Sequence, residues 1–171
     1  MARAWLSLGS NIDARGNLDA ALAELRSRFG EIAESPWYRT RAVGFEGPDF
    51  INLAAGLETD LEPVALRNWL RALEGRRGRD RSQPRFASRT LDVDLVLYDE
   101  GCTVASTRSQ LPGADIAHAF VLRPLCDLAP DLVPSDGDPR SLAKRWRDLP
   151  VHDRESVAAI PSGNCGDAIS A

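Results

Sequence analysis

Residues 89–98 read RTLDVDLVLY, and the alternation inside this stretch decides the fold. Leu91, Val93, Leu95 and Leu97 fall on one face of a strand of period two, while Asp92, Asp94, Val96 and Tyr98 fall on the other. Both carboxylates leave the same face, their Cα atoms about 6–7 Å apart at roughly 3.3 Å per residue. Two parallel acids at that spacing repel each other, and burying an unpaired charge is expensive. The strand needs a cationic partner.

Working back from this strand, the chain alternates between the two regular periods. "ARAWLSLGSN" reads as a first strand closed by a Gly-Ser-Asn turn. Leu18, Leu22, Leu25 and Phe29 recur at helical spacing over 13–29, and Gly30 is a helix stop. Residues 31–39, EIAESPWYR, predict a second strand with Pro36 at an edge or bulge. A Gly- and Pro-punctuated loop, AVGFEGP, leads into a third strand, DFINLAAGLETD. A second helix starts at Pro63 with Leu66, Trp69, Leu70 and Leu73 on one face. The order is βαββαβ, which predicts an α+β, ferredoxin-like antiparallel sheet with helices covering one face. Trp37 and Trp69 read as core. Beyond the fourth strand, FVLRPLCDLAPDLV predicts a short helix near 124–128, and DPRSLAKRW another turn or two. We expect one domain over 1–150 and a frayed, Ser/Gly/Asp-rich tail over 151–171.

Composition narrows the function classes. The net charge is −4, which disfavours a nucleic-acid binder. No apolar run is long enough to span a bilayer, and the N-terminus does not read as a secretory signal. Cys102, Cys126 and Cys165 show no metal-binding or disulfide spacing, which fits a reducing cytoplasm. The basic residues are nearly all arginine, with Lys144 the one lysine. Six of them, Arg76, Arg77, Arg79, Arg81, Arg85 and Arg89, precede the two aspartates. Arginine forks recognise phosphate, and carboxylates hold Mg²⁺, which binds phosphates in turn. Arginine loop and acidic pair together predict a polyphosphate site.

The stretch RFASRTLDVDLVL resembles the signature of the 6-hydroxymethyl-7,8-dihydropterin pyrophosphokinases of folate biosynthesis. LGSN at 8–11, YRT at 38–40, PDFIN at 48–52, LEGRRGRDR at 73–81 and FVLRPLCDLAPDL at 120–132 resemble further family segments in the same order. The resemblance implies the same ferredoxin-like fold, and an enzyme that moves a pyrophosphoryl unit from ATP to the pterin's hydroxymethyl group, leaving AMP. It implies that Asp92 and Asp94 hold two Mg²⁺ ions. Arg79 is implied to meet the transferring phosphates. Arg89 is implied in catalysis, or else serves as an ion-pair partner of Asp92. Glu74, Arg81 and His118 correspond to ATP-binding positions, although a helix-end Glu74 reads equally as a solvated charge. Thr40, Val43 (through its backbone) and Asn52 are implied to bind the pterin. Phe50 and Phe120 match the aromatics that sandwich it, or else belong to the core. The implied partners are ATP and the pterin, with neither nucleic acid nor membrane, in a cytoplasmic monomer or homodimer.

The sequence departs from the family pattern at several positions. Gly113 follows Leu111-Pro112 where a histidine is usual, and His118 stands two residues before Phe120 where an arginine is usual. Neutral imidazole is the weaker phosphate ligand. Ala87-Ser88 replaces a common Gly-Pro, and Phe86 a frequent tryptophan. Two function classes follow: a pyrophosphokinase, or a paralogue that binds pterin and nucleotide without transfer. A glycosyltransferase-like DxD enzyme has no support beyond the two aspartates.

Overall fold

The computed structural model describes residues 1–42, 44–79, 82, 87–99, 115–134 and 136–161. An open antiparallel sheet of six strands forms its centre, in the order β5-β1-β4-β3-β6 with β2 also beside β4. The expected α+β architecture holds. Strand β1 (Ala2–Ser10) lies between β4 (Phe50–Thr59) and β5 (Asp92–Asp99), and is apolar almost throughout because both its faces are covered. Helix α1 (Ala14–Phe29) buries Leu18, Leu22 and Leu25, and stops at Gly30, whose φ of 81° suits a residue without Cβ. Helix α2 (Pro63–Arg76) buries Leu66, Leu70 and Leu73. These two helices and the sheet share one core with Leu6, Leu8, Leu53 and Leu91.

The second face is covered as well, contrary to the expectation of helices on one side. Helix α3 (Ala119–Leu128) lays Val121, Leu122 and Leu125 onto Trp5 and Ala54, and Leu142 of α4 (Leu142–Asp148) joins them. Each fully buried aliphatic side chain here contributes about 1.5–3 kcal/mol. The molecule is therefore three-layered, with α3 lying over β4, β1 and β3 on this second face. Helix α3 is also longer than the sequence implied, running on both sides of Pro124.

Two local irregularities alter the strand readings. Residues 31–39 form two strands, β2 (Ile32–Glu34) and β3 (Tyr38–Thr40). Pro36 has no N–H for a ladder, and Ser35 bridges the break by donating its own N–H to the Ala54 carbonyl while its Oγ accepts from the Ala54 N–H. In β5, Trp5 pairs with Leu97 but Leu6 pairs with Leu95, so Val96 is an extra residue. The bulge exchanges the faces of the next two residues. Leu97 packs beside Trp5 and α3, and Tyr98 joins the α1/α2 core, the reverse of strict alternation. Asp92 and Asp94 lie before the bulge and keep the face that alternation assigned them.

Residues 151–161, where a frayed tail was expected, carry a one-turn helix α5 (Val151–Glu155) and a strand β6 (Ala158–Ala159). Strand β6 pairs with β3, and the Ile160 N–H donates to the Trp37 carbonyl at 2.8 Å. Cys126 is buried, and burial pushes its thiol up to about 11. Cys102 and Cys165 lie outside the described residues. No helix among the described residues is long and apolar enough to cross a membrane.

Candidate active site

Strand register assembles the site. Gly9 of β1 is flanked by Asp92 of β5 and Asn52 of β4, and Asn52 by Tyr38 of β3. Directly paired residues point to the same side, so Asp92, Gly9, Asn52 and Tyr38 form one row across the face that α3 covers. Asp94, Ser7 and Ala54 form the next row, and Phe50 pairs with Thr40 on the other side of the first.

Gly9 is the low point of this floor. A Cβ there would stand 3.0 Å from Asn52 Oδ1, tight enough to shift the amide, and in ordinary contact with Phe50 Cδ1 at 3.9 Å, so glycine lets the Asn52 side chain lie across β1 undisturbed. The Asn52 amide donates through Nδ2 to Thr40 Oγ1 at 2.8 Å. Both residues are buried, and this bond fixes which way the amide points. Phe50 is half-buried and meets Phe45 edge to face at 6.3 Å. The structure thus brings Thr40, Phe50 and Asn52 together, with Gly9 and Phe45 beside them.

The acidic pair has arginine company. One oxygen of Asp92 accepts from Arg79 and the other from Arg89, each through Nη1. Arg79 Nη1 also donates to the Leu91 carbonyl at 3.0 Å and lies 3.5 Å from Glu74 Oε1. Glu74 is only 2% exposed. Its Oε1 accepts the Val93 N–H at 2.9 Å, closing off part of the outer edge of β5. That places Glu74 beneath the arginine rather than on an open surface; its solvated reading does not hold. Arg89 makes an ion pair with Asp92, the alternative to a catalytic role.

Asp94 is the less compensated acid. Burial, and then the neighbouring Asp92 charge, push its carboxyl up to about 6, while Arg67, Arg79 and Arg89 pull it the other way. Its excess of negative charge suits a bound cation. Among the described residues no group of three or more His, Cys, Asp or Glu could hold a metal ion. Two neighbouring carboxylates on one strand face suit Mg²⁺, which binds through one or two carboxylates and keeps waters and phosphate oxygens in its remaining positions.

On α3, Phe120 is half-buried at the edge of the second core, and the exposed His118 ring stacks on it at 5.2 Å with 10° between the planes. Val43, Arg81 and Gly113 lie outside the described residues. Asn11 is a site-forming residue that the sequence reading passed over. Its Nδ2 lies 3.1 Å from the Pro48 carbonyl and 3.2 Å from Ser88 Oγ, and its Oδ1 accepts the Arg89 N–H at 2.7 Å. It ties the loop before β4 to the loop before β5. Nothing local marks it, because its role comes from burial and from partners far along the chain.

Residues 5–130 match the family model of 7,8-dihydro-6-hydroxymethylpterin-pyrophosphokinase (HPPK). Three relatives each bear the name 2-amino-4-hydroxy-6-hydroxymethyldihydropteridine pyrophosphokinase. The chain is 39% identical to the Synechocystis protein over 142 residues, covering 81% of this chain and 70% of the relative. It is 40% identical to the Pseudomonas aeruginosa protein over 141 residues, 79% of this chain and 85% of the relative. The Haemophilus influenzae protein is 33% identical over 154 residues, 86% of this chain and 95% of its own. The family model and these relatives show that the chain belongs to the 7,8-dihydro-6-hydroxymethylpterin-pyrophosphokinase family.

Proposed function

We propose that the chain transfers the pyrophosphoryl group of MgATP to 6-hydroxymethyl-7,8-dihydropterin, giving the pterin diphosphate and AMP. The observation that carries this reading is the juxtaposition of a phosphate-type and a heterocycle-type site on one sheet face: Asp92 and Asp94 stand beside Gly9 and Asn52. In this reading the pterin lies over Gly9. Asn52 Oδ1 accepts from its N–H groups while Nδ2 stays bound to Thr40. Phe50 and Phe120 offer ring faces, and stacking of this kind contributes about 0.5–1.5 kcal/mol beyond area burial.

The hydroxymethyl oxygen attacks the β-phosphorus of ATP, the bond from that phosphorus to the oxygen bridging to the α-phosphate breaks, and AMP leaves with that oxygen. The hydroxyl proton passes to solvent. No covalent protein residue is needed, because this chemistry rests on positioning and charge stabilisation. Asp92 and Asp94 would hold two Mg²⁺ ions, which when bound neutralise phosphate charge and align the attacking and leaving oxygens. Arg79 and Arg89 line the phosphate side with guanidinium forks.

The test is AMP release from MgATP by the purified protein, with and without the pterin. Pterin-dependent AMP that disappears with EDTA, and is lost in Asp92→Ala with the circular dichroism spectrum unchanged, is the expected result. Wild-type turnover in Asp92→Ala would overturn the metal assignment. His118, where the family usually has arginine, favours a second reading as a pterin-binding module without transfer; pterin binding with no AMP would establish it.

A further inference from the structure

Tyr38 ends the row Asp92, Gly9, Asn52, and its side chain leaves the sheet on the same face. It is 4% exposed, yet it carries a hydroxyl, and that hydroxyl is fully engaged. The O–H donates to Asp127 Oδ2 at 2.5 Å and accepts from Arg123 Nε at 3.1 Å. Arg123 Nη2 completes the ring by donating to Asp127 Oδ1 at 2.9 Å. Arg123 and Asp127 are one turn apart on α3. The guanidinium also lies over two aromatic faces, 5.8 Å from the Tyr38 ring centre and 5.4 Å from that of Trp146 on α4. Sheet, α3 and α4 thus meet at a closed three-residue network.

Its place matters because of what stands on either side. On the sheet, Tyr38 is directly paired with Asn52 and is two residues before Thr40, the partner of the Asn52 amide. On α3, Arg123 is one turn after Phe120. Leucine and valine contacts can slide by fractions of an ångström at little cost, whereas a charge-assisted bond has a fixed length and direction.

We infer that Tyr38, Asp127 and Arg123 are positioning residues that set the distance between Phe120 on α3 and the Asn52–Gly9 floor, and so the width of the slot that takes a planar heterocycle. The inference rests on the pterin reading of the proposed function and extends it to residues that touch no substrate. It makes slot width a property of three polar side chains rather than of the surrounding aliphatic packing.

The test is pterin affinity by fluorescence titration, with kcat and both KM values, for wild type, Tyr38→Phe, Asp127→Asn and the double variant. Removing one charge-assisted bond is expected to weaken pterin binding about tenfold. The ATP KM and kcat at saturating pterin should change little. The double variant should be less impaired than the two single effects combined, because the Tyr38–Asp127 bond is common to both. If Tyr38→Phe fails to fold, Arg123→Met, at a half-exposed position, gives the same reading. Lowered melting temperature with unchanged pterin affinity would overturn the inference and leave the network a mere brace. Wild type that binds no pterin would overturn the inference together with the proposed function, whereas wild-type binding with unaffected variants sinks the inference alone.

Discussion

Replacing Asp94 by asparagine should destroy activity and, in the metal-free protein, raise stability near neutral pH. The side chains have the same shape, so the change removes charge and little else. Burial and the Asp92 charge lift the Asp94 carboxyl from 3.8 to about 6. A carboxyl raised on folding contributes stability that is fully present below its unfolded value and is lost as pH rises through its folded value. The wild-type chain therefore loses stability between about 3.8 and about 6 through this residue, and asparagine does not. At about 1.4 kcal/mol per pH unit the rise bounds the gain at about 3 kcal/mol. That rise is already net of the attraction of Arg67, Arg79 and Arg89, and the amide must find partners for its own N–H groups at a buried position, so about 1–2 kcal/mol is the net expected.

For a chain of this size that corresponds to about 3–6 °C in melting temperature. The assay is thermal unfolding of both proteins after EDTA treatment, across the pH range from the ordinary aspartate value to neutrality. Comparing the two curves cancels the titration of the other acids. The gain should open as pH rises and be absent at the acid end. Mg²⁺ should then stabilise the wild type more than Asp94→Asn. A variant no more stable than wild type at neutral pH, or a gain independent of pH, would refute the argument that Asp94 is an undercompensated charge.

Gly9→Ala should raise the pterin KM by several fold with the fold kept, since the new Cβ would stand 3.0 Å from Asn52 Oδ1 and the amide must shift; an unchanged KM would mean the pterin does not lie over β1. Glu74→Ala leaves the Val93 N–H without its acceptor and should cost about 1–3 kcal/mol in urea unfolding, with Glu74→Gln recovering most of it. Stability unchanged in Glu74→Ala would show that the β5 edge does not depend on that carboxylate. His118→Arg should lower the KM for ATP; an unchanged value would mean that residue 118 never faces phosphate and serves only the Phe120 stack.

What could be read from the sequence is what local periodicity carries. Helices α1 and α2, strand β4 and the acidic face of β5 follow from spacings of three, four and two residues. The bulge at Val96 could not be read, because an extra residue is defined only against the partner strand, and the apolar run Leu95 to Tyr98 suits either face. The second helical layer was missed for a related reason. Its residues are apolar at helical spacing, but nothing local says which face of which sheet they cover. Pro36 marked a break correctly as chemistry, and only the partner strand shows that Ser35 fills it.

The site divides along the same line. Asp92, Asp94 and the arginines were legible because their chemistry is unusual for a strand and the loop before it. Gly9, Asn11 and Tyr38 look ordinary in sequence, and each takes its role from a partner far along the chain: Asn52, Ser88 and Asp127 respectively. The two readings of Arg89, ion-pair partner and phosphate ligand, have one physical source. A guanidinium fork matches a carboxylate and a phosphate by the same two-point geometry. With Arg79 and Arg89 on opposite oxygens of Asp92, that acid is balanced by two cations, while Asp94, two residues on, carries the burial cost with weaker help. The pair is therefore asymmetric in charge although symmetric in sequence. That asymmetry, more than the presence of two acids, is why the Asp94 substitution is the sharper probe of the site.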